Sequence, residues 1–303
     1  MTSSKRAGAG YLMVLTAALL WASSGAVGKY LIMHGLSPIS LVQIRCLGAS
    51  ILLAFGFVAA RRADLFRIRP SDILYFVLLG GGFMALVQVA YFSAISEIPV
   101  AAAILLQYLS TILVVTYSVL FWRESFGLSM GAALVLALGG CFLVVGGYDL
   151  SLLEMNTTGI IWGLVAAVSF AGYTLVGEKG LQRYSPWTML LYTLAFAAVT
   201  CHSIYPDFSY LRVGFSTIEW FALFHVAALG TAVSFGLYFV GIGCIRSSRA
   251  SIAATSEPVF AGLLAYVILG ESMAALQMLG GALVIGAIIL LQRGRDKGEP
   301  SSS

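Results

Sequence analysis

Ten runs of apolar residues, each about twenty long and each ended by a short polar stretch, leave this chain few ways to fold. A helix of that length matches the hydrocarbon thickness of a bilayer. It also satisfies its own backbone donors and acceptors where no water can. The runs lie at about 10–31, 39–60, 73–95, 101–122 and 127–147 in the first half, and at about 159–176, 187–204, 218–242, 250–269 and 276–292 in the second. Of the 303 residues, 60% are hydrophobic and 10% charged. Soluble domains carry about a quarter charged residues, so an ordinary soluble fold is excluded. The chain reads as an all-α integral membrane protein of ten transmembrane helices. Its 33 glycines suit helices that approach closely in lipid. Gly127 and Gly131 in the fifth run, and Gly280, Gly281 and Gly286 in the tenth, are expected to serve such scaffold packing.

The basic residues give the orientation. With the N-terminus in the cytoplasm, the inner segments receive Lys5 and Arg6; Arg61, Arg62, Arg67 and Arg69; Arg123; Lys179 and Arg183; Arg246 and Arg249; and Arg293, Arg295 and Lys297. The outer side keeps Lys29 and Arg212, and Arg45 lies inside a run. This asymmetry follows the positive-inside rule and places both termini in the cytoplasm. The net charge of +4 therefore reports topology and gives no reason to expect nucleic acid as a partner. The linker at 148–158 carries Asp149 and Glu154 without a basic residue, as an outer loop should. The opening MTSSKRAGAG leads directly into a full-length apolar run with no cleavage site, so that run is expected to be a retained span. Cys46, Cys141, Cys201 and Cys244 stand singly in apolar runs and read as small core residues.

That linker separates two copies of one unit. Shifted by 147 positions, YFSAI at 91–95 falls on YFVGI at 238–242, and Glu124-Ser125 falls on Glu271-Ser272. Ser37-Pro38 pairs with Ser185-Pro186, and GAALV from Gly131 with GGALV from Gly280. Each unit holds an odd number of spans, so the second copy must sit upside down, the plan of secondary transporters with a site between the repeats. The expected organisation is a first five-helix repeat at 1–147, an outer linker at 148–158, a second, inverted five-helix repeat at 159–292 and a cytoplasmic tail at 293–303.

Several residues carry a family resemblance. Each unit ends in a span with a glutamate step, Trp122-Arg123-Glu124 and Leu269-Gly270-Glu271, and the second carries Ser256-Glu257-Pro258 before it. In this the chain resembles the EamA branch of the drug/metabolite transporter superfamily, over essentially its whole length. The opening LTAALLWASSGAVGKYL and the YFSAI run are similar to aromatic amino acid exporters of that branch. The resemblance implies a multi-pass carrier of the bacterial inner membrane that exports amino acids, aromatic ones included. The first copy departs from the pattern, with Leu109-Ser110-Thr111 where the second has Ser-Glu-Pro.

Chemistry in such a protein means a polar route through apolar helices. No nucleophile with a base, no metal-ligand cluster and no phosphate-cradling loop is readable, and His34, His202 and His225 are far apart in sequence. An enzyme, a metal and a cofactor are not expected. The substrate-binding candidates are Trp21, Ser24, Gln43, Gln88, Tyr91, Phe170 and Tyr238. Trp21 and Phe170 occupy matching positions in the two copies, as do Tyr91 and Tyr238, so such pairs would face each other across the repeat axis and offer aromatic walls. Gln88 and Tyr91 are three apart and share a helix face, whereas Gln43 and Arg45, two apart, point in different directions. Single glutamines and hydroxyls also serve as interhelical hydrogen-bond glue, and that reading stands beside the binding one at each position. Arg45 reads as snorkelling or as pairing with an acid such as Glu97, with a substrate role as the other option. Glu257 and Pro258 set an acid beside a helix-breaking residue at membrane depth. Bending and gating the span, proton coupling and direct substrate contact are all open for them. A carrier of a sugar phosphate or nucleotide sugar is the alternative within the class, and a non-transporting scaffold or receptor the alternative outside it.

Overall fold

A computed structural model describes residues 3–149, 156–206, 208–212, 214–264, 266–267 and 274–295. Glu154, the step at 269–271 with its Glu271-Ser272 anchor, and Lys297 in the tail lie outside the described residues. Within them the chain is helical and has no strand. We number the helices α1 (Ser3–Met33), α2 (Pro38–Ala59), α3 (Pro70–Glu97), α4 (Val100–Tyr108), α5 (Ser110–Trp122) and α6 (Leu128–Val144) in the first half. The second half has α7 (Thr157–Gly180), α8 (Pro186–Ile204), α9 (Thr217–Ile245), α10 (Ser247–Ala254), α11 (Glu257–Leu264) and α12 (Ala275–Arg295). Eight helical stretches are long and apolar enough to cross a membrane, with α4 and α5 forming one of them. α6 is a shorter apolar helix, and the ninth run divides into α10 and α11.

The two halves repeat their local devices. Ser37 and Ser185 both cap the second helix of their half, each accepting a bond from the backbone N–H three residues on, with proline next in the chain. The third helix of each half carries a π segment, Val77–Met84 in α3 and Ala228–Val233 in α9. The fourth helix of each half is interrupted at Leu109 in one and at Thr255-Ser256 in the other.

Packing between the halves is reciprocal. α1 lies on α9 as α3 lies on α7, α2 lies on the α9 π segment as α8 lies on the α3 one, and α1 meets α10 and α11 as α7 meets α4 and α5. α2 meets α8 and α6 meets α12, each an element against its own mate, and α5 meets α10 where the fourth helices of the two halves pass each other. At the α6–α12 contact a Cβ on Gly140 would lie 2.6 Å from the Gly280 carbonyl oxygen, and one on Gly280 would lie 2.6 Å from that of Gly140. Only glycine lets these backbones meet so closely. The expectation for Gly280 as a packing residue thus holds, but its counterpart is Gly140. Gly131 lies against the Phe126 ring of its own half, and Gly127 has little beside it.

Candidate functional site

One small cavity between the halves is lined by Trp21, Ser24 and Gly25 of α1, Arg45 of α2, Val87, Gln88, Tyr91 and Phe92 of α3, Gln107 of α4, Phe170 of α7, Phe235 of α9 and Glu257 of α11. Its volume is about 40 Å³. That is room for about three water molecules and not for a metabolite. The helices that supply it must separate before cargo of any size can enter.

Aromatic rings form one wall. The Trp21 indole lies 4.9 Å from the Phe235 ring, 5.1 Å from Tyr238 and 6.0 Å from Phe170, centroid to centroid, and Phe170 stacks on Tyr238 at 5.7 Å. Tyr238 completes the wall from behind, its hydroxyl 3.2 Å from Thr174 Oγ1. Polar atoms stand among these rings without partners. Trp21 Nε1, Ser24 Oγ, Gln88 Nε2, Tyr91 Oη and Gln107 Oε1 are buried and make no hydrogen bond. Leaving a buried donor or acceptor unpaired costs about 1–3 kcal/mol, so a cluster of them marks a surface meant to meet something polar.

Arg45 supplies the charge. It is 4% exposed, and no carboxylate among the described residues lies within ion-pair distance of it. Its Nε donates to Thr231 Oγ1 (2.9 Å) and its Nη2 to the Gly230 carbonyl (3.0 Å), both in the α9 π segment. A π turn breaks the regular ladder and leaves carbonyls available, which is one reason such turns recur at functional sites. The Phe92 ring lies 4.9 Å below the guanidinium. A buried cation held only by neutral groups is ready for an anion from elsewhere.

Glu257 lies at the interruption of the fourth helix of its half. α10 ends at Ala254 and α11 begins at Glu257, with Pro258 at its second position, where the missing N–H is tolerated. That proline leaves the Ala254 carbonyl without its donor four residues on. Tyr108, the last residue of α4, approaches from the other half, its Oη 2.7 Å from the Ala254 oxygen and 2.7 Å from Glu257 Oε2. The two interruptions are therefore bridged by one phenol.

Of the residues singled out from sequence, Trp21, Ser24, Gln88, Tyr91, Phe170 and Glu257 come together at the cavity, while Tyr238 and Pro258 are buried behind it. Trp21 and Phe170 meet as their matching positions suggested, whereas Tyr91 packs on Phe92 and turns its hydroxyl toward Gly25. Gln43 lies apart. Its Nε2 donates to the carbonyls of Cys201 (3.3 Å) and Tyr205 (2.6 Å) at the end of α8, tying two helices together. Arg45 neither snorkels nor pairs with Glu97, which accepts from Asn156 Nδ2 (2.7 Å) instead. Its direction around α2 toward the π segment decides this, and one strand of text does not carry that direction. Phe235 carries no polar signal in sequence, whereas Tyr108 is a polar residue of the fourth run and immediately precedes Leu109-Ser110-Thr111, the mate of Ser-Glu-Pro.

Larger hollows lie elsewhere. One of about 390 Å³ sits where the arginines gather, lined by Asp72, Tyr75, Trp122, Glu178, Arg183, Tyr184 and Arg246 among others. There Arg183 pairs with Asp72 (3.5 Å) and Arg246 with Glu178 (3.2 Å), and Tyr184 donates to Asp72 (2.6 Å). Burial, and then that bond to Asp72, raise the Tyr184 phenol above its usual range. These charges already satisfy one another, and the contacts of Asp72 with Arg183 and Tyr184 tie the halves at that end. A second hollow, about 850 Å³, is an apolar groove on the flank between α1, α9 and α11. We place the candidate site at the small central cavity because, of these three hollows, it is the one whose lining holds several buried polar atoms without partners among the described residues.

Known proteins share this architecture. The chain is 28% identical over 285 residues to the inner membrane transporter YicL of Salmonella typhimurium, covering 93% of this chain and 94% of that one. It is 31% identical over 242 residues to a transporter of Archaeoglobus fulgidus, covering 80% and 84%. It is 28% identical over 220 residues to the pseudopaline exporter CntI of Pseudomonas aeruginosa, covering 72% and 74%. A crystal structure with a TM-score of 0.77 and 19% identity covers 96% of this chain and is itself covered to 99%, which speaks to fold alone. The EamA-like transporter family matches twice, at residues 8–146 and 157–293. The chain belongs to the EamA-like transporter family, and it is a multi-span membrane transporter and not an enzyme.

Proposed function

We propose that the protein is a secondary transporter that exports amino acids, aromatic and other neutral ones among them, across the bacterial inner membrane by alternating access. The observation that carries this reading is a buried guanidinium with no carboxylate partner among the described residues, facing an aromatic wall across a cavity between two reciprocally packed halves. An amino acid has the parts to match: a carboxylate for Arg45, a side chain to lie on Trp21 and Phe170, and polar atoms for Ser24, Gln88 and Tyr91. Gln43 and Tyr238 support the site from behind by holding α2 to α8 and the wall to α7. Ten spans in two inverted units, 1–147 and 159–292, joined by an outer linker at 148–158, with both ends and the tail at 293–303 in the cytoplasm, fit the placement of the basic residues. The relatives named for the inner membrane and for export support the location and the direction.

A sugar phosphate or nucleotide sugar carries more negative charge than one arginine balances, and Arg45 is the cation of the cavity lining. The test is counterflow of radiolabelled phenylalanine, tryptophan and alanine in liposomes holding the purified protein. Exchange of at least one above empty liposomes is expected, and no movement of any would sink the reading.

A further inference from the structure

Where Tyr108 bridges the two interruptions there are more acceptors than protons. Tyr108 Oη lies 2.7 Å from the Ala254 carbonyl oxygen and 2.7 Å from Glu257 Oε2. A phenol has one proton to donate. If Glu257 is a carboxylate, Tyr108 can serve it or Ala254, and one of the two is left short. Among the described residues Ala254 has no second source, since the residue four places on is Pro258, which has no N–H. Both short contacts are hydrogen bonds at once only when Glu257 brings a proton of its own. Its O–H then donates to Tyr108 Oη, and Tyr108 donates to Ala254.

We infer that Glu257 is the binding site of a proton that this protein exchanges for its cargo, with Tyr108 as the positioning residue that links the proton to the ninth-run interruption. The inference rests on the transport reading above and adds the coupled ion to it. When Glu257 releases its proton, Tyr108 turns its hydroxyl to the carboxylate and the Ala254 carbonyl loses its only donor. An unpaired carbonyl at membrane depth needs water, so the deprotonated state favours separation of the helices around the 40 Å³ cavity that Glu257 also lines. In the export cycle the proton passes from Glu257 to cytoplasmic water as an amino acid enters. It is regained from external water once the cargo has left. Each turn moves one amino acid out and one proton in.

The titratable and charged groups around Glu257 are Tyr108 of α4, Arg45 of α2, Tyr91 of α3 and Cys141 of α6. α1 adds the neutral Trp21 and Ser24, and α12 has no charged residue before Arg293. Arg45 is held by Thr231 and Gly230 and not by Glu257, so the two are free to serve different partners, cargo and proton.

Two measurements test this, the first without reference to cargo. Infrared difference spectra of the protein in liposomes, taken between acid and alkaline buffer, should show a protonated carboxylic acid band that disappears in Glu257→Gln and shifts in Tyr108→Phe. Absence of that band in the unaltered protein, or its persistence in Glu257→Gln, overturns the inference. In the second, phenylalanine should accumulate on the acidic side of the membrane, up to about tenfold per imposed pH unit with the membrane potential clamped. Glu257→Gln should lose that accumulation, and its thermal melt reports whether the fold is intact. Counterflow in the unaltered protein that ignores the pH gradient overturns the coupling and leaves the amino acid reading standing. A carboxylic acid band that Glu257→Gln removes, in a protein that moves no amino acid, sustains the proton site and retires the cargo.

Discussion

The two halves of the molecule agree in their backbones and disagree in their chemistry. Both cap the second helix with Ser-Pro, place a π segment in the third and interrupt the fourth. Around the cavity the agreement is confined to rings, Trp21 with Phe170 and Tyr91 with Tyr238, and does not extend to the polar groups. Arg45 in α2 corresponds to Thr193 in α8, Gln88 in α3 to Phe235 in α9, and Ser110 in α5 to Glu257 in α11. Thr193 turns its hydroxyl back to the Met189 carbonyl of its own helix (2.7 Å), where Arg45 reaches across to another. A carrier that rocks needs two matching sets of movable joints, but a ligand with unlike ends needs unlike groups to hold it. Symmetry is kept in the backbone devices and lost in the polar groups of the cavity.

The sharpest way to break that comparison is to remove each member of an unlike pair. Arg45→Ala should weaken cargo binding by about thirtyfold or more, since truncating one side of a buried charge interaction costs about 2–5 kcal/mol. Thr193→Ala should change it less than about threefold, because only a bond within its own helix is lost. Equilibrium binding of the transported amino acid to purified protein measures both, and equal losses would show that the cavity is not the asymmetric element.

Like pairs should respond alike. Gly140→Ala and Gly280→Ala each drive a methyl into the other helix's carbonyl, and each should destabilise the fold by about 1–3 kcal/mol. Thermal melting in detergent is the readout, and a loss at one position alone would argue against a two-fold contact between α6 and α12.

A smaller effect separates the two interruptions. Tyr108→Phe leaves the Ala254 carbonyl unpaired, but Pro258→Ala restores an N–H that can serve it. The double variant should therefore lose less stability than the two single losses added together, with a coupling of about 0.5–2 kcal/mol. Additive losses would separate Tyr108 from the proline. At the mate of Glu257 least is expected. Ser110 Oγ is buried without a partner among the described residues, so Ser110→Ala should change the stability read from thermal melting by less than about 0.5 kcal/mol. A large loss there would place function in the first interruption as well.

Much of this protein was legible in its sequence. The length of the apolar runs dictated helices, because no other segment satisfies its backbone in lipid. The Ser-Pro pairs and YFSAI marked the duplication, and the depth of Glu257 and Pro258 marked the interruption. Trp21 and Phe170 could be paired in advance because their repeat positions match. What only the tertiary structure decided was direction and distance. Gln43 and Arg45 stand two residues apart in one polar patch of sequence, yet one became a tie to α8 and the other the buried cation of the cavity. Gly140, and not the repeat mate Gly131, meets Gly280 because close approach depends on where two helices cross, not on how glycines are spaced along one. The meeting of Tyr108, Ala254 and Glu257 joins residues about 150 positions apart. Periodicity tells which residues share a helix face. Which face meets which is settled only when all the helices pack at once.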